Sequence, residues 1–124
     1  MSTRAVVTIR DERDTFHIYT HFDGYPEYQV KRINDALVFA WKLPRFEAMD
    51  FAAAFVRGAK ECGGNIYFTK GPENHSDLEY KYIVTAREDK LLVAIFNVDG
   101  DKAEPLWSGT LGQMRSKYGK QQAA

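Results

Sequence analysis

The chain opens on strict alternation. From Arg4 to Arg10, Ala5, Val7 and Ile9 fall on one face and Val6, Thr8 and Arg10 on the other, a β-branched pattern that predicts a first strand. Asp11-Glu12-Arg13-Asp14 makes a charged turn, read as solvated, into a second strand over Thr15 to Phe22, so the two segments predict a hairpin. In that strand Phe16, Ile18, Thr20 and Phe22 line a side suited to a core, while His17, Tyr19, His21 and Asp23 line the other. Asp23-Gly24 supplies a turn in which Gly24 is expected at positive φ. Pro26 suits the first helical position, Glu27 the positive end of the helix dipole, and Asp23 the capping of the first-turn N–H groups.

After Pro26 the period changes from 2 to about 3.6. Val30, Ile33, Leu37 and Trp41 share a stripe with Ala36 and Ala40, predicting a helix that ends near Leu43 because Pro44 follows. A second helix is expected from about Phe46 to Cys62, with Phe51, Phe55, Ala59 and Cys62 on one stripe, Met49, Ala52 and Val56 beside it, and Gly63-Gly64 as its stop. Asn65 to Lys70 reads as a short strand, followed by the turn formers of 71–77. Leu78 to Arg87 alternates again. Leu91 to Val98 is nearly continuous apolar sequence, as expected of a central strand buried on both faces. Asp99-Gly100-Asp101-Lys102 is the strongest hairpin signal. A short strand through Leu106 and Trp107 precedes a small helix with Leu111, Met114 and Tyr118 on one side, Gly119 at its end and a frayed tail over 120–124.

The element order is thus β-β-α-α-β-β-β, with a sixth strand or a short helix at the end. Tight hairpins pair strands antiparallel, and two consecutive amphipathic helices need an apolar sheet face to cover. The predicted fold is one α+β domain over residues 1–124, a two-layer sandwich with a mainly antiparallel sheet and both helices on one face.

Composition narrows the function. Lys plus Arg equals Asp plus Glu at 17 each, and the balance holds on either side of Cys62, nine against nine before and eight against eight after. Bulk charge therefore offers nothing to a nucleic-acid backbone. Cys62 is the only cysteine, which excludes an intrachain disulfide and fits a reducing, cytoplasmic setting; it lies on an apolar stripe and is read as structural. No apolar run approaches the roughly 20 residues of a membrane span.

Candidate chemistry concentrates on the face that the helices leave free. His17, Tyr19, His21, Asp23, Tyr25, Tyr67, Lys81 and Arg87 are the predicted binding residues, with Thr69 among them and Tyr25 projecting from the corner close to His21: aromatic rings interleaved with cations, fit for a planar anion such as a nucleotide or for a host protein. Self-association as a two-fold dimer, through this face or an edge strand, is the expected state. His21 and Asp23, two residues apart on one strand face, sit roughly 6.6 Å apart at Cα and form the only half-assembled acid–base pair. His17 lies about 13 Å from His21 along a strand, too far for two ligands of one ion. No cofactor and no metal site are predicted. A non-enzymatic binding protein is the expected function, with a small metal-dependent or acid–base hydrolase using His21 and Asp23 as the alternative.

The run His21-Phe22-Asp23-Gly24-Tyr25-Pro26-Glu27, close behind Met1-Ser2-Thr3-Arg4, resembles a pattern in small uncharacterised proteins of phages and prophages. There a histidine, an aromatic residue and Asp-Gly-Tyr-Pro, often with Glu, follow a strand near the N-terminus; many members carry Trp in the place of Phe22. The resemblance extends in outline to Trp107 and to Gly109-Thr110-Leu111 through Tyr118. It implies a mobile-element origin, and no catalytic role comes with it.

Overall fold

The computed structural model describes residues 3–60, 66–72, 75, 77–87, 90–100 and 102–118. Strands β1 (Ala5–Arg10) and β2 (Thr15–Thr20) are followed by helices α1 (Pro26–Phe39) and α2 (Ala48–Lys60), then by β3 (Ile66–Thr69), β4 (Tyr80–Arg87), β5 (Lys90–Asp99), β6 (Lys102–Thr110) and α3 (Leu111–Tyr118). The six strands among the described residues form one mixed sheet in the order β3-β2-β1-β4-β5-β6. Every neighbouring pair is antiparallel except β1 and β4, which run parallel with Ala5 opposite Tyr80 and Arg10 opposite Thr85. The α+β sandwich is as expected; the parallel pairing at its centre is not visible in local alternation.

The three described helices cover one face of the sheet. Ala5, Val7, Ile9, Ile18, Tyr82, Val84, Val93 and Ile95 meet Val30, Ile33, Phe51, Phe55, Leu111 and Met114 in one buried cluster. Burying a side chain of this size contributes about 1.5–3 kcal/mol, so this layer contact dominates stability. Among the described residues, the opposite face keeps a small cluster, Val6, Tyr19 and Leu78, with Val98 packed against it. For that reason β5 is not buried on both sides: Leu91, Val93 and Ile95 are inside, while Leu92, Ala94, Phe96 and Val98 are half-buried on the uncovered face.

α1 ends earlier than Pro44 requires. Its last ladder bond is Ala40 N–H to the Ala36 carbonyl at 3.0 Å, and Ala40 is already extended. The next N–H, that of Trp41, donates to the Asp50 carboxylate on α2 at 2.8 Å, and this diversion stops the helix. Trp41 consequently leaves the buried stripe and is exposed, as is Met49 on α2. Cys62, the Gly63-Gly64 stop, Gly119 and the 120–124 tail lie outside the described residues.

The charged β1–β2 turn is more than solvated. Asp11 accepts backbone N–H bonds from Arg13 and Asp14 at 2.8 Å each and from Ala48, the first residue of α2, also at 2.8 Å.

Candidate functional site at the β2–β3 end of the open face

Strand register lays one row of side chains across the uncovered face. From edge to edge it reads Tyr67, Tyr19, Val6, Lys81, Phe96 and Pro105. At its β2–β3 end the row thickens into an aromatic cluster. Tyr19 stacks on His75 with ring centroids 4.1 Å apart and planes 10° from parallel, and lies 5.1 Å from Tyr67. The cover leaves Tyr19 only 5% exposed, whereas Tyr67 keeps 49% of its surface in solvent.

Polar contacts fix the cluster. The guanidinium Nε–H of Arg4 donates to His21 Nδ1 at 3.3 Å. An arginine only donates, so Nδ1 carries the lone pair and the Tyr19 hydroxyl, 2.9 Å away, also donates to it. Arg4 pairs as well with the Asp77 carboxylate. His75 Nε2 lies 2.9 Å from Thr69 Oγ1, which ties the loop histidine back to β3. Burial raises the Tyr19 phenol above its ordinary pKa, the Asp77 charge adds to this, and Arg4 opposes it. The phenol stays protonated and keeps its one O–H directed at His21.

The predicted binding residues do not share one site. Tyr19, His21 and Tyr67 come together as expected. His17 lies one register row further along β2, its Nδ1 2.8 Å from the Thr8 hydroxyl. Lys81 is in the aromatic row but separated from Tyr19 by Val6, two strand spacings or roughly 10 Å away. Arg87, at the far end of β4, instead lines a cleft of about 440 Å³ with Arg13, Leu43, Phe46, Met49 and Lys90.

The turn after β2 also differs from expectation. β2 stops at Thr20, so His21 and Asp23 do not share a strand face. Asp23, not Gly24, takes the positive φ, at 58°. Gly24 is needed for room: a Cβ there would come 2.6 Å from the Thr3 carbonyl oxygen and 3.1 Å from the Ala5 Cβ. Asp23 does not cap α1; its carboxylate faces Arg32 at 3.5 Å, and the N-cap residue is Tyr25, which makes no side-chain cap bond. Tyr25 is 44% exposed and its ring sits 5.8 Å from Tyr80, not against His21. Pro26 and Glu27 hold the first-turn positions foreseen for them.

Three members of the cluster escaped sequence reasoning. Arg4 was in reach, because the alternation that it opens puts it on the Val6 face. His75 and Asp77 sit in a stretch of turn formers with no periodicity to aim them. Among the described residues, no three His, Cys, Asp or Glu side chains gather to hold a metal ion. None of the described helices is long and apolar enough to cross a membrane.

Scans against protein-family models, curated proteins and solved structures return no match.

Proposed function

We propose that this is a non-enzymatic binding protein of phage or prophage origin, working in the cytoplasm, that acts on a host protein or a nucleotide signal through the aromatic end of its open sheet face. The observation that supports this reading is the half-exposed Tyr67 ring lying tilted beside a Tyr19–His75 stack already fixed by hydrogen bonds. Such a platform gains affinity by stacking without first ordering flexible side chains, and one stacked base is worth about 1–3 kcal/mol. Arg4 is already engaged by His21 and Asp77, so recognition rests on the planar group more than on a phosphate. The hydrolase alternative has less to stand on: His21 is held by Tyr19 and Arg4, while the Asp23 carboxylate faces Arg32.

Two measurements test the proposal. Thermal-shift screening against mono-, di-, tri- and cyclic nucleotides should reveal a ligand whose stabilisation disappears in Tyr67→Ala. For a host protein, a benzophenone amino acid at position 67 should capture one discrete partner, competed by unlabelled protein and absent when the probe replaces Val38 on the exposed side of α1. No nucleotide shift together with crosslinks only to the protein itself would sink the reading.

A further inference from the structure

The two edges of the sheet are protected differently. β6 carries Lys102 and Glu104, has Pro105 without an N–H to offer, and shifts register against β5 between Ile95 and Phe96. Those are the devices by which an edge strand refuses further pairing. β3 has none of them. Ile66-Tyr67-Phe68-Thr69 holds no charge and no proline, pairs only with β2 among the described strands, and exposes Tyr67 at 49% and Phe68 at 54%, one ring on each face of the sheet.

An uncharged strand can lie antiparallel to its own copy without setting like charges opposite each other. A two-fold axis perpendicular to the sheet returns every side chain to its own face, which admits only registers centred on a residue. Centring on Phe68 would place Lys70 against the buried Ile66 of the other copy. Centring on Tyr67 places tyrosine against tyrosine on the open face and Ile66 against Phe68 on the helix face, favourable cross-strand pairs on both sides.

We propose that β3 pairs antiparallel with β3 of a second copy, Tyr67 opposite its counterpart, so that two six-stranded sheets become one continuous sheet. Both Tyr67 rings stay on the open face, side by side, each beside its own Tyr19–His75 stack. The dimer goes beyond the binding reading and stands whether or not a ligand follows.

Sedimentation equilibrium of the full chain over a wide concentration range should show a monomer–dimer equilibrium. Tyr67→Lys should return the mass to that of a monomer and keep a cooperative thermal melt. In a Cys62→Ser background, Tyr67→Cys should give a covalent dimer under mild oxidation, because directly opposed Cβ atoms lie about 4.5–5.5 Å apart. Ala103→Cys on β6 should not. A monomer at every concentration overturns the proposal, as does crosslinking through Phe68→Cys in preference to Tyr67→Cys or through Ala103→Cys as readily. Ligand binding is read separately by thermal shift, so failure of the dimer and failure of the binding function give different results.

Discussion

The carboxylate of Asp11 accepts the backbone N–H of Ala48 at 2.8 Å, bridging the β1–β2 turn to the first residue of α2 across 37 positions of sequence. One side chain thereby organises its own turn and satisfies the first N–H of a helix that starts far away in sequence. Burial by itself raises the Asp11 pKa, but the N–H groups of Ala48, Asp14 and Arg13, with the Arg13 charge, outweigh it and hold the carboxyl below its ordinary value.

Asp11→Ala is therefore expected to cost about 0.5–2 kcal/mol near neutral pH, the range for losing an N-terminal cap. Because the folded-state pKa is depressed, the ionised carboxylate stabilises above the ordinary Asp value near 4, and the benefit is lost as pH falls through the lower folded-state pKa. Urea denaturation at pH 7 and at pH 2.5 checks this. A gap between wild type and variant that persists undiminished in acid would remove the carboxylate from the explanation.

A second prediction concerns the corner at Gly24. Its N–H donates to the Thr3 carbonyl at 2.9 Å, and its own carbonyl accepts from the buried Tyr82 hydroxyl. Gly24→Ala should cost about 1–3 kcal/mol, since backbone and not a flexible side chain occupies the space its Cβ needs. Tyr82→Phe should cost a similar amount, about 1–3 kcal/mol, by leaving that carbonyl without its donor. Burial, reinforced by neighbouring Tyr80 and Tyr118, pushes the Tyr82 phenol far above its usual pKa. The unfolded chain ionises this phenol near pH 10 and the folded chain does not, so stability is present below that pH and falls above it. Denaturation midpoints at pH 8 and pH 11 should fall less in Tyr82→Phe than in wild type.

Tyr25 carries the third prediction. It caps α1 through its backbone alone and is partly exposed, so Tyr25→Ala should change stability by less than about 1 kcal/mol. Phe55, with none of its surface exposed, should cost about 3–5 kcal/mol when cut to alanine. Equal losses in chemical denaturation would mean that the Tyr25 ring belongs to the core.

Local pattern carried the elements and stopped where the fold depends on distant partners. The shift from period 2 to period 3.6 at Pro26 marks α1, and Gly100 takes its positive φ of 62° in the β5–β6 hairpin that Asp99-Gly100 announces. The stripe of Leu111, Met114 and Tyr118 is buried as its spacing requires. What stayed hidden is non-local. Asp50 intercepts the Trp41 N–H across a turn between two helices, which no periodicity announces, while Asp11 reaches Ala48 and β4 docks beside β1 far beyond any window of ten residues. The candidate site divides the same way: alternation found Tyr19 and Tyr67, register separated them from Lys81 and Arg87, and the aperiodic loop concealed His75.

The parallel contact between β1 and β4 also sets an order of events during synthesis. β1 can pair with β2 as soon as the hairpin is made, but its other edge finds β4 only after some seventy further residues have been added. Until then the second edge of the strand from Ala5 to Ile9 is left without its partner. The nascent N-terminal half is thus the species most exposed to aggregation, and folding should be limited by the delayed closure of this one long-range pairing.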